Sequence, residues 1–158
     1  IQHAVYQQGW QPSMVDDAKS MREKMEASRN RKDLKRGPGG MADVEFIVEV
    51  LQLKHGEYFP GIRKPNIWAS LDSLLEYGFL TKSEHEALTN GYDFLMRLQS
   101  RIRIVHNLAT DSIPEKQEDL QRLARRLGYE LKDFQEKLTG HQKNIRNLFE
   151  KILARCKS

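Results

Sequence analysis

An all-α fold, an antiparallel bundle of about six helices with two long members, is what this sequence predicts, and three observations carry the prediction. Apolar residues recur at spacings of three and four along most of the chain, no stretch alternates with a period of two, and glycine, proline and capping residues punctuate the periodic runs. Size agrees with this reading. A chain of 158 residues, 39% hydrophobic and 30% charged, can bury roughly 70% of its unfolded surface around one core.

The first element rests on Met14, Ala18, Met21 and Met25, whose spacing of four, three and four makes one apolar stripe between Ser13 and Arg29. Ser13 is its candidate N-cap. The segment from Arg29 to Arg36 then carries five basic residues and one acid before Gly37-Pro38-Gly39-Gly40, through which no helix can continue. This divides the chain into residues 1–36, an N-terminal helix and basic linker leading from a preceding domain, and residues 37–158, the bundle, within one compact domain overall.

After the glycines, Val44, Ile47, Val48 and Leu51 form one stripe from Met41 to Leu53 and Phe46, Val50 and Leu53 another, which marks a central helix apolar on nearly every side. Gly56 ends it. Tyr58-Phe59-Pro60-Gly61 and Pro65 make an irregular connection to a helix capped by Asn66, carrying Ile67, Leu71, Leu74 and Leu75 and closed by Gly78. Thr81-Lys82-Ser83-Glu84 has capping-box spacing, in which hydroxyl and carboxylate satisfy each other's backbone N–H groups. The helix it opens bears Leu88, Tyr92, Leu95, Leu98, Ile102 and Val105 and runs for about 25 residues, or roughly 37 Å. Beyond Pro114, Leu120, Leu123, Ala124 and Leu127 mark a short helix stopped by Gly128, and Leu131 through Ile152 a long last one.

Composition narrows the function classes. A single cysteine, Cys156, excludes disulfide scaffolds and zinc ribbons and points to a reducing, cytoplasmic setting. No apolar run approaches the roughly 20 residues of a membrane span, so no membrane partner is expected. The 26 Lys+Arg exceed the 22 Asp+Glu by only four. A basic nucleic-acid-binding module is therefore a weak rival reading, because neither a base-reading helix nor an aromatic platform lies beside the basic cluster. His3, His55, His85, His106 and His141 show no metal-ligand spacing, and no metal site is expected. Arg122, Arg125 and Arg126 read as solvated. Trp10, Trp68, Tyr58 and Phe59 read either as core or as a protein-partner anchor.

Gly37-Pro38-Gly39-Gly40-Met41-Ala42 fits G-x-G-x-x-A, but the dinucleotide reading fails because no strand precedes it or follows its helix; a Walker A loop is absent. Two readings stay open. Backbone N–H groups ahead of a helix, flanked by Lys35 and Arg36, suit a phosphate or carboxylate, and Gly37, Gly39 and Gly40 equally suit a tight turn passing close to a neighbour. Asp43 fits the positive end of the helix dipole. Glu45, among Val44, Phe46 and Ile47, needs a partner, for which Arg97, Arg101 and Arg103 are the candidates. Otherwise those arginines form a salt-bridging face or a contact to a partner domain.

The stretch from Asp33 to Val48, DLKRGPGGMADVEFIV, resembles the signature of the glutamine synthetase adenylyltransferase family, approximately [DN]-[LI]-K-x-G-x-G-G-[IM]-x-[DE]-[IV]-E-F-[IL]-V, at every defined position. Weaker likeness extends from about Ser20 to the end. The resemblance implies a two-unit enzyme, each unit pairing a nucleotidyltransferase domain with a helical domain like this one. One unit transfers AMP from ATP to a tyrosine of glutamine synthetase, and the other removes it by phosphorolysis, under control of the PII signalling protein and glutamine. Mg²⁺ would be held by G-S-x-x-D and D-x-D carboxylates upstream, and this chain contains neither. The resemblance thus implies a helical accessory domain, inactive alone, with no catalytic residue of its own. Its Lys35, Arg36, Gly37, Gly39 and Gly40 would face nucleotide or the neighbouring domain, supported by Asp43, Glu45, Arg97 and Arg101. The alternative is an interaction bundle sensing PII or glutamine. The missing initial Met suggests a piece of a longer polypeptide, and the polar end at Ser158 favours the second, adenylylating unit.

Overall fold

The helices lie where the periodicity expects them, and two of the six open on side-chain caps. The computed structural model describes residues 9–28, 32–106 and 111–158, without the side chains of residues 105 and 106. Expectations for His3, Arg29, Arg31, Val105 and His106 as side chains lie outside this set. Six α-helices are described: α1 Ser13–Ala27, α2 Met41–His55, α3 Ile67–Glu76, α4 Lys82–His106, α5 Gln117–Arg126 and α6 Leu131–Lys157. A 3₁₀ turn, Pro60–Ile62, lies between α2 and α3. The two long helices are α4, with 25 residues, and α6, with 27. Among the described residues the only β-type pairing is an isolated bridge between Asp33 and Ser112.

Two predicted caps form as read. Asn66 Oδ1 accepts from Ala69 N–H at 2.8 Å at the start of α3. At the start of α4 the Thr81 hydroxyl accepts from Glu84 N–H at 3.1 Å while Glu84 accepts from Thr81 N–H at 3.3 Å. Glu84 gains a second partner from the far end of the chain, because Arg155 of α6 grips both carboxylate oxygens at 3.1 Å. Ser13 does not cap α1; it is the first helical residue, Pro12 precedes it, and no side chain caps that end.

The apolar α2 is the central helix. Met41, Val44, Ile47, Val48, Val50 and Leu51 are buried on it, because α1, α3, α4 and α6 all pack around it. The most extensive interfaces join α6 to α4 and to α2, with Leu88, Leu95, Leu98 and Ile102 facing Phe134, Ile145, Phe149 and Ile152 in one core. Lys54 at the end of α2 donates to the carbonyl of Cys156 at 2.8 Å, satisfying an unpaired carbonyl where α6 ends.

Candidate functional site

The segment from Asp33 to Asp43 is built as a closed hydrogen-bonded turn. Asp33 begins it: its Oδ1 accepts from the N–H groups of Lys35 and Arg36 at 2.9 and 2.8 Å, and its carbonyl accepts from Gly37 N–H at 2.9 Å. Leu34 plunges into the core with no exposed surface. The segment is tied laterally to residues 111–113, where Leu34 N–H donates to the Asp111 carbonyl and Ile113 N–H to the Lys32 carbonyl. Its C-terminal half closes onto α2 through Met41 N–H to the Leu34 carbonyl at 3.0 Å and Ala42 N–H to the Lys35 carbonyl at 2.9 Å.

Glycines are required at two positions. Gly39 has φ +71°, and a Cβ there would lie 2.1 Å from the Gln142 carbonyl oxygen on α6. A Cβ on Gly40 would lie 2.6 Å from the Leu34 carbonyl oxygen. The turn therefore rests backbone to backbone on α6. Its N–H groups are also engaged, with Gly39 N–H donating to Asp43 Oδ2 at 2.8 Å, Gly40 N–H to Gly37 and Asp43 N–H to Gly40. A phosphate at this helix start would meet no unoccupied backbone donor from residue 35 to residue 43, so charge from Lys35 and Arg36 would have to hold it. Both of those residues are half-buried, and their side chains form no ion pair among the described residues.

Beneath the turn lies an ionic clamp. Arg22 of α1 has no exposed surface; its Nε donates to Asp43 Oδ1 at 2.6 Å, Nη1 to the Arg36 carbonyl at 2.9 Å and Nη2 to the Gly37 carbonyl at 2.8 Å. Arg146 of α6 reaches the same carboxylate from the other side, with Nη1 3.1 and 3.3 Å from its two oxygens and 3.2 Å from Glu26. Asp43 is thus more than a dipole complement: it joins α1, the turn, α2 and α6. Burial pushes its carboxyl up from the ordinary value, against the pull of Arg22, Arg146 and the Gly39 N–H. Burial acts to lower Arg146, but Asp43, Glu26 and Glu150 outweigh it and hold that guanidinium above its ordinary value. The expected junction between residues 36 and 37 falls between the two carbonyls that Arg22 holds.

The expected arginine partner for Glu45 is not found among the described residues. Glu45 accepts from the Tyr92 hydroxyl at 3.3 Å, while Arg97 pairs with Asp93 at 3.4 Å and Arg103 with Asp111 at 2.6 Å. Register explains the difference, since Tyr92 is the buried α4 residue facing α2, and Arg97, Arg101 and Arg103 are on its exposed side. Burial and the Glu45 carboxylate together push the Tyr92 phenol up to about 12. Glu49, one turn beyond Glu45, is also raised, by burial first and by Glu45 second.

Among the described residues no three His, Cys, Asp or Glu side chains gather as metal ligands. Asp43 is consumed by two guanidiniums, so Mg²⁺ has no donor set in this turn. His55 stacks on Phe79 at 3.9 Å, His85 pairs with Asp72 at 2.8 Å and His141 packs against Phe94. Trp10 packs against the core beneath Lys54, and Trp68 meets Tyr92 edge-on, while Tyr58 and Phe59 are exposed.

Residues 13–153 match the family described as GlnD PII-uridylyltransferase. The chain belongs to that family. Three relatives are each named bifunctional glutamine synthetase adenylyltransferase/adenylyl-removing enzyme. That of Streptomyces avermitilis is 31% identical over 96% of this chain, that of Streptomyces coelicolor 31% over 98%, and that of Xanthomonas oryzae 36% over 61%. The likeness to glutamine synthetase adenylyltransferases carried by Asp33 to Val48 is borne out. The chain spans 16% of the length of each Streptomyces relative and 10% of the Xanthomonas one.

In this member of the GlnD PII-uridylyltransferase family, the match starts at the first residue of α1 and includes Arg22, Asp43 and Arg146 together. Sequence reasoning missed Arg22 and Arg146. A signal for Arg22 was present: it lies seven residues, two helical turns, from Val15, and these two prove buried while Met21 is exposed, so the stripe is rotated from the methionine line. Arg146, separated from Asp43 by 103 positions, carried no local signal.

Proposed function

We propose that this chain is a helical accessory domain of a glutamine synthetase adenylyltransferase/adenylyl-removing enzyme and that its Lys35–Arg36 turn abuts the partner nucleotidyltransferase domain. One observation carries the reading: two cations without ion-pair partners among the described residues sit on a turn whose backbone is immobilised from below by Arg22, Asp43 and Arg146. A rigid turn presenting unpaired charge is pre-organised for an anionic neighbour, so little ordering entropy is lost on contact. That neighbour is the carboxylate-bearing catalytic domain or the phosphates of its ATP, met by side chains because the amides are engaged.

AMP transfer to glutamine synthetase, its reversal, the Mg²⁺ that serves them and control by PII belong in this reading to the longer protein. The chain alone transfers nothing. Lys35 and Arg36 position and neutralise charge; they do not bind the metal or attack phosphorus.

The test is transfer of labelled AMP from ATP with Mg²⁺ to purified glutamine synthetase by a longer protein containing this domain and its nucleotidyltransferase domain. Lys35→Ala with Arg36→Ala is expected to lower kcat/KM by about tenfold or more, the loss of about two charged hydrogen bonds, while thermal stability stays unchanged. Full activity in that variant would overturn the reading.

A further inference from the structure

On the side of α4 away from the core, Arg97, Arg101 and Ile104 follow one another at spacings of four and three, forming a ridge about 10 Å long. With Met96 on the same helix and Arg126 and Leu127 at the end of α5, this ridge lines an open cleft of about 630 Å³. Two features set the cleft apart. Ile104 is 71% exposed on a helix whose other face buries Leu95, Leu98 and Ile102 completely. The lining also carries three arginines and no carboxylate; among the described residues Arg101 and Arg126 make no ion pair, and Arg97 pairs with Asp93 on its own helix.

We propose that this α4–α5 cleft is a docking groove for an acidic amphipathic segment of a protein partner. Carboxylates one helical turn apart would meet Arg97 and Arg101, with Arg126 closing the far wall, and an apolar side chain between them would cover Ile104, Met96 and Leu127. Charge complementarity selects an acidic occupant. The apolar floor selects a peptide segment over a small anion, which would gain nothing from Ile104. This proposal does not rest on the Lys35–Arg36 reading.

The test uses fluorescence anisotropy of a labelled helical peptide of about four turns, with glutamates four residues apart around a leucine, titrated with the chain. Saturable binding is expected. Arg101→Glu with Arg126→Glu should weaken it by about tenfold or more, and Ile104→Ser by about threefold or more. Lys151→Glu, the same charge change on an exposed site of α6, should leave the Kd within about twofold. All of these positions are exposed, so circular dichroism should be unchanged. Equal binding by the double reversal and the native chain would overturn the proposal, as would equal binding of a peptide with serine for its leucine, no saturable binding, or capture only of a random DNA duplex.

Discussion

Arg22 Nε and Asp43 Oδ1 lie 2.6 Å apart with neither side chain exposed, joining the first helix to the start of the central one. Each member of the pair has further partners, the Arg36 and Gly37 carbonyls for Arg22 and Arg146 with the Gly39 N–H for Asp43. Breaking one side therefore strands a buried charge.

Arg22→Met and Asp43→Leu are each expected to cost about 3–5 kcal/mol in urea unfolding. The double variant should cost clearly less than the sum, with a coupling energy above about 1 kcal/mol, because both charges leave together. Simple additivity would mean that the pair contributes no specific interaction.

Gly39 and Gly78 share left-handed backbone, with φ +71° and +80°, but differ in surroundings. A Cβ at Gly78 meets nothing within 4 Å, whereas one at Gly39 meets the Gln142 backbone at 2.1 Å. Gly78→Ala should cost about 1–2 kcal/mol, the backbone term alone. Gly39→Ala should cost measurably more and separate the turn from α6, visible as faster amide exchange at residues 37–43.

Acid should weaken the fold in two stages. Burial, then Lys54 and Arg155, pulls the His55 imidazole below its ordinary 6.5, and burial with Lys137 does the same to His141. The unfolded chain then binds more protons, so stability is complete above about 6.5 and falls as the pH drops towards the folded values. Burial alone would raise Glu84, but hydrogen bonds from Arg155 and Thr81 outweigh it and hold that carboxyl below 4.5. Its contribution is present above about 4.5 and lost as the pH falls through the folded value. Asp43 and Glu49, whose carboxyls are raised, act with the opposite sign below the folded values, so the check is the difference from the native chain: in urea midpoints between about pH 7.5 and 3.5, His141→Gln should shrink the first decline and Glu84→Gln the second.

How far the sequence could be read follows from distance along the chain. The caps at Asn66 and Thr81–Glu84, the long α4, the stops at Gly78 and Gly128 and the apolar α2 depend on residues within about four positions of one another, so composition and spacing sufficed. Ser13 misled because hydroxyl chemistry indicates a cap without setting which residue starts the helix.

By itself the sequence determined an all-α chain, the order and approximate bounds of its helices, and the glycine turn with its family likeness, because each is encoded in local periodicity and short motifs. Only the tertiary structure decided that Asp43 is held by Arg22 and Arg146, that Glu45 turns to Tyr92, and that the turn's amides are already engaged. Those outcomes depend on the rotation of packed helices about their axes and on residues up to 103 positions apart, and burial then makes each such pairing obligatory.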